Sequence, residues 1–97
     1  MPNDTTITVT VKLFGRLREL VGSPSISISL PLDATVTDLL AKLRYDFPEL
    51  YEKLQPGLTK GYLNALVDGR NVRSLDGFNT SLSSGSTIAF LPPVGGG

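Results

Sequence analysis

The sequence predicts one α+β domain, in which a mixed sheet of four to five strands has one main helix packed across it. Three features indicate this fold class: two segments in which apolar and polar residues alternate, one capped amphipathic segment, and an apolar run near the end of the chain. The 97 residues are enough for one small domain and too few for two. About 40% of the residues are hydrophobic, which is typical of a folded globular chain.

Two alternating segments in the first third of the chain predict a pair of antiparallel strands. In residues 6–13 every second residue is apolar and mostly β-branched, as in a half-buried strand. Residues 25–30 alternate serine with isoleucine or leucine, and Pro31 ends the pattern. Between these segments, residues 16–21 have the composition of one helical turn that Gly22 closes.

The middle of the chain carries the helix signal. Thr35 is a good N-cap and Asp38 is its capping-box partner. An apolar stripe with helical spacing follows, made of Val36, Leu39, Leu40, Leu43 and Phe47. Pro48 ends this helix and begins a second short helix over residues 48–54. Residues 55–61, which contain a proline and two glycines, are interpreted as a surface loop.

The second half of the chain predicts further strands. Residues 62–67 form a strand, Asp68-Gly69 is a hairpin turn signal, and residues 71–73 form a short return strand. An irregular segment over residues 74–82 is expected to be anchored by Leu75, Phe78 and Leu82. Residues 86–91 are apolar on both faces after their start, so this last strand belongs in the middle of the sheet.

The order of these elements is that of the β-grasp, or ubiquitin-like, fold. A capped helix after two strands packs across the sheet and buries its apolar stripe. We expect the first and last strands to be adjacent and parallel at the centre of the sheet. The chain then divides into a β-grasp domain at residues 1–91 and an extended tail at residues 92–97 that ends in two glycines.

The composition excludes several classes of function. The chain has neither cysteine nor histidine, so it lacks a thiol nucleophile, an imidazole base and the usual zinc ligands. Nine basic and nine acidic residues give no electrostatic case for binding nucleic acid or a membrane surface. Since no signal peptide or membrane-spanning run is found, we expect a cytoplasmic protein.

The end of the sequence is its most distinctive part. Pro92 and Pro93 lack a backbone N–H and favour an extended course, and Val94 follows them. The three glycines at residues 95–97 have no Cβ and can enter a channel too narrow for any side chain. The distinctive chemical group is the α-carboxylate of Gly97. We hypothesise that the domain presents this carboxylate to enzymes, the alternative being an ordinary frayed terminus.

The sequence resembles the MoaD-like, ThiS-related ubiquitin-like sulfur carriers, which are the small subunits of molybdopterin synthase. The resemblance covers nearly the whole chain and rests on these features: Phe14-Gly15-Arg16-Leu17-Arg18-Glu19 after the first strand, Gly22, the capped helix, Gly85 before the last strand, and Leu91-Pro92-Pro93-Val94 with a terminal diglycine. The chain departs from the family at Gly95, where alanine or serine is usual, and at Ser86, where an acidic residue is common.

The resemblance implies a mechanism in which Gly97 is the reacting residue and Gly96 is required beside it. An E1-like (MoeB-like) adenylyltransferase uses ATP and magnesium to convert the Gly97 carboxylate to an acyl-adenylate. A sulfur donor, such as a cysteine desulfurase or rhodanese, then gives a thiocarboxylate. The tail inserts into the large, MoaE-like subunit of a heterotetrameric synthase, which builds the dithiolene of molybdopterin. The carrier itself is then neither an enzyme on its own nor a binder of cofactor or metal.

Matching by position to the family predicts an apolar docking surface near the base of the tail, formed by Phe14, Leu75 and Leu91 and continued by Pro92, Pro93, Val94 and Gly95. The alternative for the first three is an ordinary core position. Other functions stay open at this stage. The chain could be a ubiquitin-like modifier joined to lysines through Gly97, a sulfur carrier for thiamine or tungsten-cofactor synthesis, or a β-grasp adaptor whose tail has no role.

Overall fold

This computed structural model describes residues 5–91, in which two helices lie between the first two strands and the last three. One further helix, the first, connects the first two strands. The strands are β1 (Thr6–Lys12), β2 (Ser25–Pro31), β3 (Asn64–Val67), β4 (Arg70–Asn71) and β5 (Thr87–Leu91). The helices are α1 (Gly15–Val21), α2 (Val36–Asp46) and α3 (Pro48–Lys60). Within the described range these strands form one five-stranded sheet in the order β2-β1-β5-β3-β4, which confirms the predicted mixed sheet.

The centre of the sheet is the parallel pair of β1 and β5, as predicted. Val11 is the register partner of Ile88 in this pair. On its other side β1 runs antiparallel to β2, and β5 runs antiparallel to β3. Ile88 and Phe90 are 0% and 1% exposed, whereas Ala89 between them is half-buried. A strand that is apolar on both faces therefore takes a central position, where both of its edges are paired.

Helix α2 begins at the predicted capping box. The Thr35 hydroxyl oxygen accepts a hydrogen bond from the Asp38 backbone N–H, and the Asp38 carboxylate accepts one from the Thr35 backbone N–H at 2.8 Å. Two of the exposed donors at the helix start are satisfied in this way. The buried residues of the helix are Val36, Leu39 and Leu43, whereas Leu40 and Phe47, also predicted in the apolar stripe, are partly buried.

Helix α3 is longer than predicted, and the interpretation of residues 55–61 as a loop was wrong. The helix continues through Pro56 to Lys60 and ends at Gly61, whose φ of 84° is left-handed. Proline removes one intrahelical hydrogen bond, but the buried face of the helix continues past it. Leu50, Leu54 and Gly57 are all buried on that face, and their spacing of four and three residues is helical.

The segment between β3 and β5 also differs in detail from the prediction. The return strand β4 is two residues long because the Asn71 side chain caps a 3-10 turn at Val72–Ser74, accepting a hydrogen bond from the Arg73 N–H at 2.9 Å. Leu82 is a buried anchor as expected. Phe78, predicted as an anchor, is 41% exposed because it lies in a second short 3-10 turn at Gly77–Asn79 on the surface.

Candidate docking surface at the end of the last strand

The candidate site is built around Leu91, the last residue of β5. The predicted tail, with Pro92, Pro93, Val94, Gly95, Gly96 and Gly97, lies outside the described residues. The roles predicted for those residues stay predictions. What the structure does describe is the surface from which residue 92 continues, and that surface has three parts: an apolar strip on the sheet, an exposed aromatic residue, and a groove between two helices.

The apolar strip lies on the face of the sheet opposite the buried core. Side chains alternate between the two faces of a strand, so Leu66, Ala89 and Leu91 share the outer face. Leu66 is the register partner of Ala89, and Leu91 is the partner of Asn64. The strip is half-buried. The half of this outer face that comes from β1 and β2 is mostly polar. It carries the exposed Lys12 beside Ala89 and hydroxyl side chains at Thr6, Thr8, Thr10, Ser25, Ser27 and Ser29.

Phe14 lies at the same end of the sheet as Leu91. Its backbone is extended, with φ −133° and ψ 155°, and it follows Lys12 by two residues. Lys12 is the register partner of Ala89. Continuing this parallel register by two residues places Phe14 at the level of Leu91 and on the same outer face. Its ring is 47% exposed. By this register, two of the three residues predicted for docking lie at the same end of the sheet, and neither belongs to the buried core.

Leu75 reaches the surface from a different part of the fold. It follows the 3-10 turn after β4, and its N–H donates a hydrogen bond to the Val72 carbonyl oxygen at 2.9 Å. The side chain is half-buried. Within the described residues, no pairing or hydrogen bond connects Leu75 to Leu91. Its predicted part in docking stays a prediction.

A groove between α1 and α3, which the sequence interpretation missed, also borders the candidate site. It has a volume of about 720 Å³, and its walls include Leu17, Leu20 and Leu63. Leu63 immediately precedes Asn64, the register partner of Leu91, so the groove lies at the end of the sheet where β5 finishes. One wall is the part of α3 that was interpreted as a loop, and for that reason the groove could not be predicted.

The described surface around Leu91 combines apolar and charged side chains. No group of three or more metal-ligating side chains comes together within residues 5–91. Over the same range, none of the helices has the length and apolar character needed to cross a membrane. The cations Arg16 and Lys53 and the carboxylate of Glu19 contribute to the groove. An apolar strip, an exposed aromatic residue and a groove with charged walls are features that also occur in protein–protein interfaces.

A mixed five-stranded sheet with a capped helix packed across one face is the ubiquitin-like β-grasp fold, and this chain is a domain of that class. The model of the ThiS family matches residues 11–97, so the chain belongs to the ThiS/MoaD family of ubiquitin-like sulfur carriers. The match includes the predicted tail, and it confirms the family resemblance of the sequence.

Named relatives include a modifier protein and a sulfur carrier subunit. Small archaeal modifier protein 3 of Haloferax volcanii is 39% identical over 88 residues, which cover 90% of this chain and 96% of the relative. The molybdopterin synthase sulfur carrier subunit of Dictyostelium discoideum is 30% identical over 88 residues, covering 90% and 93%. The solution structure of small archaeal modifier protein 1 from Methanosarcina acetivorans superimposes with a TM-score of 0.74 at 36% identity, covering 95% of this chain and 98% of that one.

Proposed function

We propose that this protein carries sulfur for molybdopterin synthesis as a thiocarboxylate on Gly97. The observation that supports this most is the family match, which extends to residue 97. A relative of nearly equal length that is named as the sulfur carrier subunit of molybdopterin synthase agrees with it. The described domain would then be the part to which partner enzymes bind while they act on the tail.

Activation is required because a carboxylate is a poor electrophile. In the proposed first step, a Gly97 carboxylate oxygen attacks the α-phosphorus of ATP, and pyrophosphate leaves. The terminal sulfur of a persulfide on the donor enzyme then attacks the carbonyl carbon and expels AMP, which leaves an acyl disulfide. A second thiol attacks the donor cysteine sulfur of this disulfide, forms a new disulfide with it, and releases the thiocarboxylate. An E1-like adenylyltransferase would supply the catalytic groups and magnesium, which agrees with a carrier that has neither histidine nor cysteine.

Docking of these partners would use the surface that surrounds Leu91. A partner that covers the apolar strip and the exposed Phe14 would remove apolar surface from water, and this burial would stabilise the complex. Because this surface adjoins the first residue of the tail, a partner held there would bind close to the point where the tail begins. The same surface would serve the activating enzyme and then the large, MoaE-like synthase subunit in a heterotetramer. We propose the cytoplasm as the place of these steps, in keeping with their need for ATP.

A second candidate function is conjugation to other proteins. It is favoured by the 39% identity to a protein named as a small archaeal modifier and by the structural likeness to another modifier. The activation step is the same, but the nucleophile differs. A lysine amine of a target protein attacks the adenylate, AMP leaves, and an isopeptide bond forms through Gly97. The two functions are compatible in one protein because they share the acyl-adenylate.

The intact mass of the protein purified from its own host distinguishes the two functions. The sulfur-carrier proposal expects a species in which one oxygen is exchanged for sulfur, and this species should be absent from a variant lacking Gly97. The modifier proposal expects the chain attached to lysines of other proteins. Sulfur-loaded protein should also restore dithiolene formation by the large synthase subunit, and a loaded protein that fails in this assay would contradict the molybdopterin role.

A further inference from the structure

The edge of the sheet formed by β2 leaves a short stretch of backbone without a partner. The β1–β2 register pairs Val9 with Ile28. At either end, the Leu13 N–H donates to the Pro24 carbonyl at 2.9 Å and the Leu32 N–H donates to the Thr5 carbonyl at 2.8 Å. Hydrogen-bonded pairs alternate along an antiparallel ladder. The even-numbered residues of β2 therefore bond to β1, and the odd-numbered residues direct their backbone groups outward.

The outward backbone groups at both ends of this edge already have hydrogen-bond partners within the chain. The Ser23 hydroxyl donates to the Ser25 carbonyl at 2.7 Å and accepts from the Ser25 N–H at 3.4 Å. At the other end, the Pro31 carbonyl accepts from the Ala34 N–H at 3.1 Å, and proline has no N–H to satisfy. Within residues 5–91, no hydrogen bond outside the ladder is found for the backbone of Ser27 or Ser29. The open part of the edge is therefore the two N–H and two carbonyl groups of these two residues.

The devices that usually protect an edge strand are absent from this stretch. Residues 25–31 of β2 contain no charged side chain, and their one proline lies at the end. Native edge strands normally carry a lysine, an internal proline or a bulge, because a flat uncharged edge pairs with other strands. Leu32, just beyond β2, is 55% exposed. An uncharged edge beside an exposed leucine is typical of a surface that pairs.

We propose that two copies of this chain pair antiparallel through β2, with a two-fold axis at Ile28. In this register Ser27 lies opposite Ser29 of the second copy, and Ser29 lies opposite Ser27 of the second copy. Each of these pairs exchanges two hydrogen bonds, so all the open backbone groups on both chains are satisfied. The capped Ser25 lies opposite the capped Pro31 of the second copy, and neither residue needs a partner.

The side chains fit the same register. Ile26, which is partly buried, lies opposite Leu30 of the second copy, so apolar residues meet on the core side. Continuing the register places the exposed Leu32 opposite Pro24 of the second copy. Moving the register by two residues would direct the capped Ser25 against Ser29 and leave an open group without a partner. The match of donors, acceptors and apolar residues under a two-fold axis favours a second copy over an unrelated peptide.

This pairing is independent of the proposed transfer function. In the strand order, β1 lies between β2 and β5. The surface around Leu91 is therefore not part of the β2 edge, and a paired form still presents its tail for activation. Failure of one proposal would leave the other in place.

Sedimentation and amide hydrogen exchange of the full chain, compared between a dilute and a concentrated sample, test the pairing. At about 1 mM, the range in which weak contacts are populated, we expect twice the monomer mass in sedimentation and slowed exchange of the Ser27 and Ser29 amides. The Ser25 amide serves as the internal control because its cap is intramolecular. A chain that stays monomeric with fast exchange at both serines would overturn the proposal and would leave the edge to an extended peptide of another protein.

Disulfide trapping tests the register. Since the chain has no cysteine, exposed Ser27→Cys and Ser29→Cys variants carry one thiol each. A mixture of the two variants should give a mixed disulfide dimer under mild oxidation, because directly opposite residues lie about 5.5 Å apart. Each variant alone should cross-link poorly, because diagonal positions are about 7–8 Å apart. Efficient cross-linking of Ser27→Cys with itself would contradict the register.

Discussion

Gly57 of α3 lies directly against Leu63, the residue that leads into β3. The Gly57 carbonyl oxygen accepts a hydrogen bond from the Leu63 backbone N–H at 3.0 Å. A Cβ at position 57 would lie 2.8 Å from both Cγ and Cδ1 of Leu63. The absence of a side chain at position 57 therefore allows α3 to approach the start of β3 closely, and both residues line the α1–α3 groove.

This contact predicts that Gly57→Ala destabilises the domain although alanine is the better helix former. The gain in helix propensity is about 1 kcal/mol, whereas inserting a methyl group into occupied space costs about 1–3 kcal/mol. We expect a net loss of about 1 kcal/mol in the free energy of unfolding, measured by urea denaturation. The α1–α3 groove should also change shape, because Leu63 must move.

A double-mutant cycle gives the control for this prediction. A Leu63→Ala background removes the Cγ and Cδ1 atoms that lie 2.8 Å from the added methyl group and leaves only the Cβ of residue 63 at 3.3 Å. Gly57→Ala should then destabilise the domain clearly less than it does in the unmodified chain. An equal loss in both backgrounds would show that the contact with Leu63 is not the cause.

Two neighbouring leucines of α2 should differ in their contribution to stability. Leu39 is 0% exposed, whereas Leu40 is partly buried and lines a shallow groove with Tyr51 and Phe78. Leu39→Ala should lower the free energy of unfolding by about 2–5 kcal/mol, because it leaves a cavity in the core. Leu40→Ala serves as the matched variant and should cost clearly less. Equal losses in thermal or urea unfolding would contradict the helix orientation.

The capping box of α2 predicts a loss of stability when the side-chain oxygen of Thr35 is removed. Thr35→Ala removes the hydroxyl that accepts from the Asp38 N–H, and we expect a cost of about 0.5–2 kcal/mol in the free energy of unfolding. Thr35→Ser keeps the oxygen and should retain most of the stability. If serine were as damaging as alanine, the methyl group rather than the cap would be the important part of Thr35.

Much of the fold follows from local patterns in the sequence. The alternation in β1 and β2, the capping box of α2 and the two apolar faces of β5 each predicted the element that is observed. The predicted helix α3 ended too early because residues 55–61, which contain Pro56, were interpreted as a loop. The spacing of Leu50, Leu54 and Gly57, followed by Lys60 and a left-handed Gly61, is the signal that could have extended it.

Two residues of the candidate site were predicted from the sequence, whereas the α1–α3 groove was not. Phe14 and Leu91 were predicted by matching their positions to the family; the structure places Phe14 on the surface and Leu91 half-buried at the end of β5, and their part in docking stays a prediction. The α1–α3 groove was not identified, because it forms between two helices that residues 22–47 separate in the chain, and the second of them was predicted too short. Its shape depends on the close approach of Gly57 and Leu63, and no local pattern reports such an approach.

The apolar strip predicts a binding defect without a folding defect. Leu91→Asp places a charge at the half-buried end of β5, and we expect the KM for the carrier in the adenylation reaction to rise at least about tenfold, with a smaller change in kcat. Thr8→Asp, on the hydroxyl half of the same outer face, is the matched control and should leave KM nearly unchanged. Thermal unfolding of both variants checks that the domain is intact. An equal rise in KM would place docking elsewhere.

The predicted tail can be tested by adding one methyl group at a time. Gly96→Ala adds a Cβ that we expect to collide with the wall of the partner channel, and a displacement of the reacting carbonyl by about 1 Å can slow a reaction about 100-fold. Gly95→Ala adds the same methyl group one residue earlier, where similar proteins of the family usually have alanine or serine, so transfer should continue at nearly the normal rate. Both variants should unfold at the same temperature as the unmodified chain. Single-turnover formation of the acyl-adenylate and then of the thiocarboxylate measures each step separately, and normal rates for Gly96→Ala would refute the narrow channel.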